Sequence, residues 1–351
     1  MKKALVFILL LILPISFISC KKTSIKQEKI ELSAAGATFP AVLYQKWFDE
    51  YYKEKNIQVN FQAIGSGGGI QQLIQKTVDF GATDVPLSQN EEEKTSVKVL
   101  HIPVASGAIV VSYNLTDNPK LKLNSEIIAE IFLGKITNWQ DVKIKDLNSE
   151  INLPDQPISV IHRSDGSGTT SAFTEYLTVN NKEWAEKVGK GKSIDWPIGL
   201  GGKGNDGVAG LIMQIPGSIG YIEFIYATQN NLPYGIIENL SGNYIDPSLE
   251  SVKEAANIEL PDDLKVSIIN TTSLNGYPIS TFTWLIVYQE LNYNNNTKAK
   301  AKGIVDLLWW TIHEAQEYNE GLSYGKLPES GVIKAENLIK SMTFNGEPIL
   351  K

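Results

Sequence analysis

The sequence predicts an α/β protein built as two lobes, with mixed, mostly parallel sheets. Three observations carry this expectation. Apolar positions alternate between strand and helix spacing from residue 30 onward. Two long β-branched stretches, one central and one late, read as strands that carry the chain across from one half to the other. The roughly 330 residues that follow the leader also exceed the size at which one core usually stops growing.

The first twenty residues, MKKALVFILLLILPISFISC, form a secretory signal, with basic Lys2 and Lys3, an apolar run from Ala4 to Ile15, and small or polar residues before Cys20. The run is shorter than the roughly 20 residues of a spanning helix and contains Pro14. Cys20, the single cysteine, stands where a lipoprotein signal places the thiol that receives the lipid. Phe17 occupies the position that usually carries leucine, and a stray cysteine is the alternative. Residues 21–28 are polar and read as a flexible tether.

One cysteine excludes an internal disulfide and a cysteine zinc site, while His101, His162 and His313 alone argue against a histidine metal cluster, so no cofactor is expected. Without Lys2 and Lys3 the balance is 30 basic to 39 acidic residues, net about −9. Such a surface disfavours nucleic acid. An anion bound here must be held by local groups.

Taken in order, Ile30 to Ala34 reads as a strand and Pro40 to Lys53 as a helix with Leu43, Trp47, Phe48 and Tyr51 on one face. Val59 to Ile64 is a second strand, followed by a glycine-rich turn and a helix carrying Ile70, Leu73 and Ile74. Lys98 to Leu115, interrupted by Pro103 and Gly107, suits the first crossing. A helix over Ser125 to Gly134 and a strand over Ile158 to Ile161 follow, then a helix with Ala172, Phe173, Tyr176 and Leu177 as its buried stripe. Thr281 to Tyr288 reads as the return crossing, and two helices, about Lys298 to Tyr318 and Glu329 to Met342, close the chain. The crossings divide it into lobe I (29–107 with 278–351) and lobe II (108–277), with a ligand expected in the cleft between them.

Three loops share one design, a strand feeding a helix N-terminus through hydroxyls and glycines: GATFP (Gly36 to Pro40), GSGGG (Gly65 to Gly69) and DGSGTT (Asp165 to Thr170). A helix N-terminus offers unpaired N–H groups and about half a positive charge, which favours an anion, and glycine lets that backbone approach it. One such turn is more often a plain cap. Three together, with Arg163 ahead of the third, point to an oxyanion site, where Arg163 presents a planar fork of donors and Asp165 holds that fork in place. The stretch GLGGKGNDG (Gly199 to Gly207) resembles a nucleotide loop only superficially. Gly204 stands where Ser or Thr is needed, no strand clearly precedes it, and it reads as a loop packed near the cleft.

Asp84, in VDFGATDVPLS, follows a short strand and can face the cleft, or else be a cap or solvated surface residue. Facing an anion, a carboxylate repels one that carries no proton and accepts a hydrogen bond from one that does. Two unit charges about 4 Å apart at an effective dielectric near 20 interact by roughly 4 kcal/mol, on the order of a thousandfold in affinity. Hydrogen phosphate carries the proton and sulfate does not.

Taken together, AGATFP, IGSGGG, VDFGATDVPLS, FLGKITNW, HRSDGSGTT, WPIGLGGKGNDGVAG and PGSIGY resemble the PstS family, the phosphate-binding proteins of bacterial phosphate ABC importers, over essentially the whole mature chain. The resemblance implies the two-lobed periplasmic-binding-protein fold (type II), no enzymatic activity, and inorganic phosphate bound in the cleft for delivery to membrane permease subunits driven by an ATPase. It assigns phosphate contacts to Thr38, Phe39 (backbone), Ser66, Asp84, Arg163, Ser167, Gly168 and Thr169, with Asp165 as the partner of Arg163. Gly67 and Thr83 depart from the pattern, where serine is frequent. Two rival readings stand beside it: a binder of sulfate or molybdate sharing the same loops, and a hydrolase using Ser66 or Ser167. The hydrolase lacks an evident base, because His162 should alternate away from Arg163 along its strand.

Overall fold

The computed structural model describes residues 30–294 and 296–350. The signal, the tether and Cys20 lie outside the described residues. Eight strands form one continuous sheet: β1 (Glu31–Gly36), β2 (Gln58–Ala63), β3 (Phe80–Thr83), β4 (Val99–Tyr113), β5 (Ser159–Arg163), β6 (Leu200–Gly202), β7 (Ser218–Glu223) and β8 (Ser280–Tyr288). Their spatial order is β2-β1-β3-β8-β4-β7-β5-β6.

The order contains the same plan twice. In one lobe β1 lies parallel to β2 and β3, and β3 is joined antiparallel to β8. In the other, β5 lies parallel to β6 and β7, and β7 is joined antiparallel to β4. The two halves meet on β4, whose residues 99–108 pair with β8 and whose residues 109–113 pair with β7. The sheet is mixed and mostly parallel as expected, with four parallel pairings among its outer strands and three antiparallel ones at its centre.

Pro103 sits where the ladder tolerates it. The register between β4 and β8 shifts at Thr283/Trp284, opposite Pro103 and Ala105, so the missing proline N–H falls at a bulge. Every residue of β4 and β8 is buried, as strands covered on both faces must be.

Helix α1 (Ala41–Lys55) buries Leu43, Trp47, Phe48 and Tyr51, and α2 (Ser66–Ile74) buries Ile70 and Leu73 with Ile74 half-buried. Helix α3 (Gly168–Asn180) buries Ala172, Phe173, Tyr176 and Leu177. These are the faces their spacing predicts. Three details differ from expectation. Pro40 caps α1 instead of opening it. The penultimate helix stops at Ile312, where His313 leaves helical geometry, and a 3-10 turn follows over Glu314–Tyr318. The stretch expected as a loop without a preceding strand is β6 followed at once by helix α4 (Gly204–Gln214). Strand β6 is too short, and too rich in glycine, to show apolar alternation.

Candidate functional site

All three glycine–hydroxyl loops end at the same place, where the C-terminal ends of β1, β3 and β5 face each other across the two lobes. Thr38, Phe39, Ser66, Asp84, Arg163, Ser167, Gly168 and Thr169 are all buried there. The lobes touch backbone to backbone, with the Gly67 N–H donating to the Gly166 carbonyl at 2.8 Å. Two glycines make that approach feasible. Gly65 sits at φ +88°, where a Cβ would meet Asp165 Oδ2 at 2.3 Å, and a Cβ on Gly168 would meet Ser66 Oγ at 2.5 Å and Asp84 Cβ at 2.7 Å.

Arg163 ends β5 with its side chain 1% exposed. Its Nε and Nη2 donate to Asp165 Oδ1 and Oδ2 at 2.7 and 2.5 Å, a two-bond clamp that fixes the guanidinium plane. Nη1 is left to reach Thr169 Oγ1 at 3.4 Å, on the side of the α3 N-terminus. Burial pushes the Asp165 carboxyl up, but the hydrogen bonds and charge of Arg163 outweigh it and hold the pKa below the ordinary range. Breaking such a buried pair leaves one charge unpaired, at about 3–5 kcal/mol.

Ser167 caps α3 by accepting from the Thr170 N–H at 3.0 Å, while its own N–H donates to the Lys192 carbonyl. The hydroxyl proton of Ser167 therefore remains free to be donated. Ser66, the first residue of α2, accepts from the Asp84 N–H at 3.2 Å and donates to Asp84 Oδ2 at 3.3 Å.

Asp84 is 1% exposed and its two oxygens face different surroundings. Oδ1 points to the sheet, accepting from Thr283 Oγ1 at 2.9 Å. Oδ2 faces Ser66 and Gly168. Burial pushes the carboxyl up to about 7, against the Thr283 hydrogen bond, the Arg163 charge and the Ser66 hydrogen bond, which pull it down. The cap or solvated-surface alternative for Asp84 does not apply.

Asn205, in α4, is a residue that motif reasoning did not single out. Its backbone N–H and Nδ2 both donate to Thr38 Oγ1, at 3.1 and 3.0 Å, and Nδ2 also lies 3.3 Å from Thr169 Oγ1. Its Oδ1 accepts from the Glu223 N–H at 3.0 Å. With both lone pairs of the Thr38 hydroxyl engaged, its proton is directed into the site. The Tyr226 and Tyr324 hydroxyls donate to the carbonyls of Thr38 and Phe39, each at 2.7 Å, and so fix the loop that leads into α1. The Gly204 N–H donates to Asp165 Oδ1 at 3.0 Å, so the fourth helix N-terminus supports the clamp. The signal for Asn205 was present, since its loop was placed near the cleft.

The assembled groups are donors, apart from the carboxylate at Asp84. His162 takes no part, because its ring stacks on Trp196 at 4.7 Å and its Nδ1 lies 3.0 Å from the Arg163 carbonyl. Among the described residues no group of three His, Cys, Asp or Glu side chains could hold a metal ion.

Comparison with known proteins gives the same reading of the fold. Residues 22–306 match the model of a PBP superfamily domain. The chain is 40% identical over 310 residues to the phosphate-binding protein PstS of Pasteurella multocida, covering 87% of this chain and 88% of that one. It belongs to the PstS family. Another PstS, from Methanocaldococcus jannaschii, is 38% identical over 342 residues, with 90% and 88% covered. Among solved structures, PfluDING, described as a high affinity periplasmic phosphate-binding protein bound with phosphate, superposes with a TM-score of 0.72 at 20% identity, covering 88% of this chain and 93% of that one. A putative phosphate ABC transporter substrate-binding protein from Clostridium perfringens gives a TM-score of 0.62 at 19% identity, covering 85% and 100%. At those identities the likeness concerns the two-lobed fold, which this PstS-family chain shares.

Proposed function

We propose that this protein binds inorganic phosphate, as hydrogen phosphate, and delivers it to the permease subunits of an ATP-driven importer. The observation that carries the reading is the composition of the closed site: one clamped guanidinium, hydroxyls and helix N-termini from both lobes, and the buried carboxylate of Asp84 beside them. In this reading Arg163, Ser167, Thr38, Thr169 and the amides of Phe39 and Gly168 donate to the anion, the Ser66 hydroxyl turns from Asp84 Oδ2 to the anion, and Asp84 Oδ2 accepts the proton the anion brings. Charge-assisted bonds of about 1.5–3 kcal/mol each, less the cost of dehydrating the anion, are enough for micromolar or tighter binding.

The protein acts by binding and not by turnover. Among the described residues no histidine is paired with Ser66 or Ser167, since His162 stacks on Trp196, His101 accepts from the Leu87 N–H and His313 pairs with Glu336. Export is carried by residues 1–20, and a lipid on Cys20 holds the receptor at the cell envelope. Calorimetry on protein lacking residues 1–20, titrated with phosphate, sulfate and molybdate near pH 8, tests the proposal. Phosphate is expected to bind in the micromolar range or tighter, and neither competitor should displace it at equal concentration. Displacement by sulfate would overturn the role given to Asp84, and hydrolysis of a phosphate ester would overturn the assignment as a receptor.

A further inference from the structure

Thr283 sits at the centre of β8 with no exposed surface, remote in sequence from every glycine–hydroxyl loop. Its hydroxyl donates to Asp84 Oδ1 at 2.9 Å, with a weaker arm toward the Thr83 carbonyl at 3.4 Å. In the ligand-free site each Asp84 oxygen accepts from one hydroxyl, Thr283 on Oδ1 at 2.9 Å and Ser66 on Oδ2 at 3.3 Å; Ser66, at the α2 N-terminus, can give its proton to an anion instead, whereas Thr283, inside the sheet, keeps its proton on Oδ1. We propose that Thr283 is a specificity-determining positioning residue, which by donating to Oδ1 keeps Asp84 an acceptor and confines any shared proton to Oδ2, the oxygen that faces the anion. This rests on the phosphate-binding reading above and deepens it.

The consequence concerns sulfate. A sulfate ion can be tolerated beside Asp84 only when the carboxyl itself carries the proton and donates it. Whatever stabilises the carboxylate therefore excludes sulfate, and Thr283 is the first of the influences opposing the burial of Asp84, ahead of Arg163 and Ser66. Removing the Thr283 hydroxyl leaves Asp84 protonated over a wider pH range, and the site then accepts an anion without a proton.

Other groups also face Asp84. Arg163 brings the positive charge from the end of β5, and the phenols of Tyr44, Tyr226 and Tyr324 and the carboxyl of Glu223 surround it from α1, the helix Phe224–Gln229, the C-terminal segment and β7. Burial raises all three phenols out of the working range. It raises Glu223 as well, and the two carboxyls repel each other when both are charged. Glu223→Gln removes that repulsion and keeps a side-chain oxygen for the Ile225 N–H, which Glu223 Oε2 caps at 2.8 Å.

The test is the pH dependence of sulfate binding, measured by calorimetry between about pH 5 and 9 on the wild type, Thr283→Val, Thr283→Ser and Glu223→Gln, with phosphate titrated alongside. Valine keeps the shape of threonine and loses the donor. Sulfate binding should strengthen as pH falls in every protein, and in Thr283→Val its onset should move up by about one pH unit, as expected for a lost hydrogen bond to a charged group. The ratio of phosphate to sulfate affinity near pH 7 should narrow by roughly tenfold. Thr283→Ser should restore the wild-type profile, and Glu223→Gln should leave the displacement caused by Thr283→Val in place when the two are combined. Thr283→Ala, which deletes the same hydroxyl with lighter demands on packing, is read in parallel and decides the matter if the valine protein does not fold. Coincident pH profiles for the wild type and the hydroxyl-free variants would overturn the proposal. Failure of the wild type to bind phosphate would instead overturn the phosphate-binding reading, so the two failures are distinct.

Discussion

Replacing Asp84 by asparagine should alter selectivity and stability in opposite senses. The amide keeps an Oδ1 to accept from Thr283 and puts a donor where Oδ2 accepted, without a change of volume. For an anion that carries no proton, the repulsion from a unit charge about 4 Å away at an effective dielectric near 20 is roughly 4 kcal/mol, so the phosphate-to-sulfate ratio should contract by up to about a thousandfold. The ligand-free protein should become more stable. The Asp84 carboxyl stands at about 7 in the fold against an ordinary 3.8, so between those values the folded protein holds a proton that the unfolded chain has lost. Stability therefore falls as pH rises through that window, and the full cost, roughly 3 pH units or about 4 kcal/mol, is present above it. Asparagine does not titrate. Asp84→Asn should accordingly raise the unfolding free energy by about 2–4 kcal/mol at pH 8 and by little at pH 4. Urea melts of phosphate-free protein at the two pH values, with calorimetry of phosphate and sulfate at pH 8, measure both effects. An unchanged affinity ratio, or a variant no more stable than the wild type at pH 8, would refute the account of Asp84 as a buried acceptor.

Two further substitutions probe closure and donor orientation. Gly168→Ala places a methyl group 2.5 Å from Ser66 Oγ and 2.7 Å from Asp84 Cβ across the lobes, so phosphate affinity should fall at least a hundredfold by calorimetry, and an unchanged affinity would show that the lobes need not meet there. Asn205→Ala removes the Nδ2 donor to Thr38 Oγ1 while the backbone N–H stays, freeing one lone pair and loosening the hydroxyl; phosphate should bind roughly tenfold more weakly, and binding as tight as in the wild type would remove Asn205 from the site.

Much of this arrangement is legible in the sequence, because its main parts are local. Arg163, Asp165, Ser167 and Gly168 lie within one strand-to-helix turn, so the clamp and the anion-facing helix can be read from six consecutive residues. The buried faces of α1 and α3 follow from apolar spacing, and the long β4 from its β-branched run. Thr283 and Asn205 are not legible in the same way. Thr283 reaches Asp84 only because β8 pairs with β3, setting Trp284 opposite Thr83, a register that no local pattern encodes. Asn205 follows a strand of three residues whose glycines hide it from any test of periodicity. The antiparallel centre of the sheet escapes for the same reason: the direction of pairing is decided by where the crossings lead, and not by the composition of the strands that make them.

Strand β4 runs unbroken for fifteen residues, with Ala108 opposite Ser280 and the next residue, Ile109, opposite Glu223. A joint made of ladder, with partners on either flank, has little of the slack of a loose connector. Any parting of the lobes is therefore work done on this hydrogen-bonded ribbon, shared along its ladder and not absorbed at one slack residue.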